Sequence, residues 1–173
     1  MFNDIDTRRL RLKCVDKSDR DFILEEFQND FINKYLFDQE PMSDIKEADD
    51  LIEFYTMKEP REQNRWVLID KSSKKRIGTC GFHLWEKEKK EVEIGFELME
   101  TFNGKGYMSE AVKAIIRFAK SNMGVSTIRA VVYTENQKCK KLVESIGFKI
   151  VGKEEDCLFR GKKYIHDIYE LEL

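Results

Sequence analysis

The sequence predicts a single α/β domain. It would hold a mixed, mostly antiparallel twisted sheet of about seven strands, with about four helices packed on its two faces. Three observations give that expectation. Strand-like and helix-like segments alternate along the whole chain in the order β-α-α-β-β-β-α-β-α-β-β. The three consecutive strands in the middle are joined by short charged turns, the pattern of an antiparallel meander. No linker or internal repeat divides the 173 residues, which suffice for one domain and are too few for two of ordinary size. Residues 1–173 are therefore read as one domain.

Each element follows from local pattern. Leu10 to Val15 alternates apolar and polar residues and reads as the first strand. Asp16-Lys17-Ser18-Asp19 offers turn and cap residues, after which Phe22, Ile23, Phe27, Phe31 and Ile32 recur at helical spacing. A second helix is expected from about Ser43 to Met57, with Ile45, Ala48, Leu51, Ile52 and Tyr55 on one face. Trp66 to Asp70, Arg76 to Trp85 and Val92 to Leu98 form the meander. The stripe from Ala111 to Ala119 is a helix, and Ile128 to Tyr133 is a β-rich strand. Gln137 to Ser145 is a helix closed by Gly147, and Phe148 to Val151 and Lys163 to Leu171 are two closing strands.

Composition narrows the function. Hydrophobic residues make up 41% and aromatics 12%, enough to build a core. Charged residues reach 37% but cancel to a net charge of -2, which argues against a protein that coats nucleic acid and needs a basic excess. The four cysteines, Cys14, Cys80, Cys139 and Cys157, contain no Cys-x-x-Cys pair, and only His83 and His166 accompany them, so no metal site is expected. The start Met1-Phe2-Asn3-Asp4-Ile5-Asp6 lacks a signal-peptide pattern, and no run approaches the ~18 apolar residues of a membrane span. The expectation is a soluble cytoplasmic protein with free thiols, monomeric or homodimeric, without a membrane partner.

The chemistry concentrates after the meander. Asn103-Gly104-Lys105-Gly106-Tyr107-Met108-Ser109 joins a strand to a long apolar helix through two glycines. Such a turn points successive N–H groups outward with a helix N-terminus behind them, which suits phosphate. Asn-Gly is also a hairpin signal, but a helix follows rather than a strand. The loop is not a Walker motif, because Gly106 stands where Ser or Thr would follow the Lys. Nor is it a Rossmann turn, whose spacing it lacks.

Extended to Glu110-Ala111, this segment resembles the acetyl-CoA pyrophosphate loop of the GNAT N-acyltransferases, and of their RimJ/RimL-type branch in particular. Asn136-Gln137-Lys138-Cys139-Lys140-Lys141-Leu142-Val143-Glu144-Ser145-Ile146-Gly147-Phe148 resembles the family's following helix and strand start. Thr7-Arg8-Arg9-Leu10-Arg11-Leu12 is similar to that branch's first strand, and Gly161 to Asp167 to its closing hairpin. The resemblance implies an acetyl-CoA-dependent N-acetyltransferase with a GNAT-like sheet, acting by direct, sequential transfer on a primary amine of a protein N-terminus or a small molecule. A non-catalytic acyl-CoA sensor, or a longer acyl donor, is the alternative.

The resemblance also implies roles. Asn103, Gly104, Lys105, Gly106, Tyr107, Met108 and Ser109 would cradle the pyrophosphate. Phe96 and Leu98 would pair through their backbones with the pantetheine arm, which Asn136 would reach from the other side; Asn136 also suits a helix N-cap. Glu93 matches a catalytic glutamate of some branches, with Glu97 on the same strand face. Both also fit a solvated face. The sequence departs from the family at Asn103, at Met108 and at Val143, where many members carry a proton-donating Tyr. Cys139 stands where the branch offers Ser and is a candidate proton donor or, with a base, a nucleophile. The acidic segment from Asp30 to Glu59 would attract a cationic acceptor.

Overall fold

A computed structural model describes residues 2–58 and 60–173; Met1 and Glu59, used in the reading above, lie outside the described residues. The strands are β1 (Ile5–Asp6), β2 (Leu10–Cys14), β3 (Asn64–Asp70), β4 (Arg76–Glu86), β5 (Glu91–Leu98), β6 (Thr127–Tyr133), β7 (Lys149–Phe159) and β8 (Lys162–Glu172). The α-helices are α1 (Arg20–Phe27), α2 (Asp30–Asn33), α3 (Ile45–Thr56), α4 (Tyr107–Phe118) and α5 (Gln137–Ile146). The strands form one 8-stranded sheet in the order β1-β2-β3-β4-β5-β6-β8-β7. Every neighbouring pair is antiparallel except β5 and β6.

Strand alternation sends side chains to two cores. Leu10, Leu12, Trp66, Leu68, Cys80, Phe82, Val92 and Ile94 pack with α4, whose Met108, Ala111, Val112, Ile115 and Phe118 recur at helical spacing. On the other face Val67 joins Phe22, Ile23 and Phe27 of α1 and Ala48, Ile52 and Tyr55 of α3.

Three elements differ from expectation. The apolar stripe from Phe22 to Ile32 is two helices, because the Asn29 side chain accepts from the N–H groups of Phe31 and Ile32 and starts a new turn. The two-residue β1 is an addition too short for periodicity to reveal. The first closing strand runs on from Lys149 to Phe159, although Lys153, Glu154 and Glu155 break its apolar pattern. It is the sheet's edge, where charged residues are favoured.

The parallel contact positions the site. β5 and β6 pair only through Glu91, Val92 and Glu93 against Thr127, Ile128 and Arg129. Beyond Glu93, β5 follows β4 as far as Leu98, whereas β6 follows β8 as far as Tyr133. The sheet therefore opens as a V with a free backbone edge on each leg.

Candidate active site

The V leads into a cleft of about 410 Å³ lined by residues of α2 and the segment after it (Phe31, Tyr35), β5 (Phe96, Glu97, Leu98) and α5 (Cys139, Leu142). It continues into a second hollow of about 550 Å³ bounded by Asn103, Gly104, Gly106, Tyr107, Met108 and Ser109 and, from α5, by Lys138 and Lys141. The two share Leu98, Asn103, Met108, Lys138 and Leu142.

Backbone direction on β5 follows from one bond. The Met99 N–H donates to the Ile77 carbonyl on the β4 side. Alternate residues of a strand point their backbone groups the same way, so Glu97 also faces β4, while Phe96 and Leu98 face the open edge. An extended chain laid in the V would meet the N–H and C=O groups of Phe96 and Leu98, as an added strand does.

The glycine loop has geometry that suits an anion. Gly104 and Gly106 have φ of 74° and 76°, in the left-handed region that L side chains avoid. Gly106 is the N-cap of α4, with no side chain bonded to the first-turn N–H groups. Those donors stay available, and the helix dipole adds partial positive charge behind them. Asn103 braces the loop: its Nδ2 donates to the carbonyls of Leu98, Met99 and Glu100 at 3.2–3.3 Å. A clamp ties the helix start to the first strands. Glu110 accepts from Thr7 Oγ1, from the Arg9 N–H and from Arg9 Nε, each at 2.7 Å. Arg9 also donates from Nη1 to the Lys105 carbonyl at 2.7 Å and lies over the Tyr107 ring.

On α5, Asn136 is the N-cap, its side chain accepting from the Cys139 N–H at 3.2 Å. The Asn136 amide N–H groups remain for a ligand. Cys139 lines the cleft but packs against the apolar core, and desolvation pushes its thiol up to about 12. A thiol held there is almost entirely protonated at neutral pH, and it is a weaker acid than an ordinary thiol at about 8.5. Val143 is fully buried and carries no polar group toward the cleft.

The two β5 glutamates are placed differently. Glu93 lies in the paired part of the strand, 3.0 Å from His83 Nε2, and is not part of the cleft lining. Glu97 lies beyond the split and lines the cleft. Its carboxylate pairs with Arg65 and stands 3.2 Å from Thr79 Oγ1. Outside the cleft lining, an aromatic cluster forms: Phe37 stacks on Tyr164 at 3.7 Å and meets Tyr133 edge-on at 4.7 Å, with His166 alongside.

Part of the acidic segment is tied up in local contacts. Glu40 pairs with Arg160, Asp49 with Arg20 and Asp50 with Lys46, while Asp44 caps α3 and Glu47 accepts from the Ser43 N–H. Among the described residues no group of metal-ligating side chains is gathered, and no helix is long and apolar enough to cross a membrane.

Sequence reasoning missed Lys138 and Lys141, which face the glycine loop across the hollow, and Arg65, Thr79 and Glu26 beneath Glu97. One signal was available: Glu26 stands on the apolar stripe of its helix, between Ile23 and Phe27.

Comparison with known proteins agrees with this geometry. The family model described as an acetyltransferase (GNAT) domain matches residues 9–149. An uncharacterized N-acetyltransferase of Bacillus subtilis (strain 168), YoaA, is 29% identical over 99% of this chain and 97% of its own. The solved structure of RimL, a ribosomal L7/L12 alpha-N-protein acetyltransferase in complex with coenzyme A, superposes with a TM-score of 0.89 at 16% identity, covering 98% of both chains. A spermidine N-acetyltransferase of Vibrio cholerae, in complex with CoA and spermine, gives 0.85 at 21% identity, covering 96% of both chains.

Proposed function

Because this chain belongs to the acetyltransferase (GNAT) family, we propose that it transfers the acetyl group of acetyl-CoA directly to a primary amine, within one domain spanning residues 1–173. The observation that carries the reading is the uncapped N-terminus of α4, set behind two left-handed glycines at the mouth of a V-shaped split in the sheet. Pyrophosphate would accept from the first-turn N–H groups, with Lys138 and Lys141 supplying charge from across the hollow. The pantetheine arm would lie along Phe96 and Leu98 and bring the thioester beside Glu97 and Cys139.

An ammonium cannot attack a thioester, so a base, or a water chain leading to one, must take a proton first, and the β5 carboxylates are the candidates. Glu93 would act through water or through His83; Glu97 would act directly. Cys139 fits neither covalent role nor proton return, because its thiol stays protonated and holds its proton more tightly than CoA sulfur would. Direct attack needs no enzyme nucleophile, since holding amine and thioester together supplies much of the rate. A sequential mechanism follows. Protein N-termini and small amines are both acceptors that reach such a cleft, as the named activities of the two structural neighbours illustrate for those proteins.

Thermal melting with acetyl-CoA tests the reading. Saturating acetyl-CoA should raise the melting temperature of the wild type by linkage. Gly106→Pro should abolish the rise, because proline cannot adopt a φ of 76°. A wild-type melt unmoved by millimolar acetyl-CoA refutes the assignment.

A further inference from the structure

Beneath the cleft lies a set of ionisable side chains that acetyl transfer, as described above, does not use. Glu26 of α1 is fully buried. Its Oε2 stands 2.9 Å from Thr79 Oγ1, within hydrogen-bond distance, and its Oε1 is buried without a partner. Thr79 Oγ1 also stands 3.2 Å from Glu97 Oε2 and accepts from Arg65 Nε at 2.9 Å. The Arg65 guanidinium pairs with Glu97, donates from Nη1 to the Tyr55 hydroxyl at 3.3 Å and lies over the rings of Phe27 and Tyr55. Two carboxyl groups thus meet at one hydroxyl and one cation.

Hydrogen-bond accounting favours one proton shared between the two carboxyl groups. A hydroxyl has one proton to give and two lone pairs to accept with. At Thr79 one lone pair receives the Arg65 Nε–H, and the hydroxyl proton goes to one carboxylate. The remaining contact is a hydrogen bond only when the other carboxyl is protonated and donates. Charge points the same way: two carboxylates on one guanidinium would leave a net negative charge beside the fully buried Glu26, which one proton cancels. The other groups around Glu26 are Glu25 on its own helix and Cys80 on β4, the latter with its thiol pushed up to about 12 by burial. Neither supplies positive charge. The Glu93–His83 pair lies further down β5, past Gly95.

We propose that Glu26 and Glu97 hold one proton between them across Thr79, and that Glu97 is the general base, with Glu26 the positioning residue that keeps Glu97 ionised at rest. The inference rests on reading the cleft as an amine acetyltransferase site. Glu26 is fully buried, with one carboxyl oxygen unpartnered, whereas the guanidinium pairs with Glu97, so the shared proton resides on Glu26. Glu97 touches Arg65 and borders the cleft, so it is the ionised member. In the reaction an N–H bond of the ammonium breaks and its proton goes to Glu97. The freed lone pair forms the N–C bond, the C–S bond breaks, and sulfur leaves with the electron pair. The sulfur takes the second nitrogen proton. Because Glu26 is already protonated, Glu97 returns its own proton to water in the cleft.

Infrared difference spectroscopy of the ligand-free protein at neutral pH tests the pair. The wild type should show a carboxylic-acid carbonyl band. Glu26→Gln should lose it, and so should Glu97→Gln, because one carboxylate then matches one guanidinium. A wild type without the band, or a band that persists in Glu97→Gln, overturns the shared proton; persistence would mean that burial alone keeps Glu26 neutral. In turnover, Glu97→Gln should lower kcat by ~10²–10⁴ with little change in KM for acetyl-CoA. Glu26→Gln, whose amide can donate to Thr79 as the acid does, should retain more kcat than Glu26→Leu. A fully active Glu97→Gln overturns the base assignment. The spectra need neither acetyl-CoA nor an acceptor. Loss of the acetyltransferase reading, seen as no acetyl-CoA binding, is therefore distinguishable from loss of this one.

Discussion

Replacing Glu110 with alanine should destabilise the fold by about 2–3 kcal/mol and weaken acetyl-CoA binding, although Glu110 does not line the hollow. Its carboxylate receives the Thr7 hydroxyl, the Arg9 N–H and the Arg9 guanidinium, all at 2.7 Å. Alanine leaves the Arg9 N–H and the Thr7 hydroxyl without that acceptor in a part-buried site, at roughly 1 kcal/mol each. The guanidinium contact adds ~1 kcal/mol or less, because Arg9 keeps a third of its side chain in solvent. At 2–4 °C per kcal/mol for a domain of this size, the melting temperature should fall by about 4–12 °C. The pH dependence carries a sign. Burial alone would raise the Glu110 carboxyl, but the Arg9 N–H, the Thr7 hydroxyl and the Arg9 guanidinium outweigh it and hold the group below its ordinary 4.5. A depressed carboxyl contributes stability that is present above its unfolded value and lost as pH falls through the folded one. The gap between wild type and Glu110→Ala, followed by calorimetry from neutral pH downward, should therefore narrow below about pH 4.5. The assay also needs acetyl-CoA titrations, in which the variant should bind more weakly because Arg9 no longer steadies the Lys105 carbonyl and the start of α4. A variant that melts with the wild type at neutral pH, or a gap that widens in acid, would refute the clamp.

Cys139→Ser should keep at least a tenth of wild-type turnover. Intact-protein mass spectrometry after mixing with acetyl-CoA alone should show no acetyl adduct on Cys139; a stoichiometric adduct that a later amine discharges would replace direct transfer with an acyl-enzyme. Lys141→Ala should raise KM for acetyl-CoA more than it lowers kcat, by a factor that shrinks with added salt because charges near solvent are screened. An unchanged KM at low salt would remove Lys141 from the phosphate hollow.

Much of this protein is written in local pattern. The alternation of β2 and of the meander, the apolar stripe of α4 and the Gly147 cap of α5 each depend on residues a few positions apart, so they are visible in the sequence. The glycine loop is legible for the same reason: Gly104, Gly106 and the following helix are contiguous, and their left-handed φ values are what that spacing requires. Tertiary structure decided what depends on register and burial. Glu93 and Glu97 look alike in the sequence, four residues apart on one face. They are separated by the end of the β5–β6 pairing, which leaves one beside His83 and the other beside the cleft. The acidic segment reads as a rim, but three of its carboxylates pair with Arg20, Lys46 and Arg160, the last of them 120 residues from Glu40. Cys139 is an ordinary thiol by sequence and a weaker acid by enclosure. The environment of Glu26 comes from β3, β4 and β5, so no local pattern could state that its carboxyl meets Thr79, Arg65 and Glu97. Composition and periodicity record what each residue is. Desolvation and charge pairing depend on which residues the sheet sets side by side, and that exists only in the folded chain.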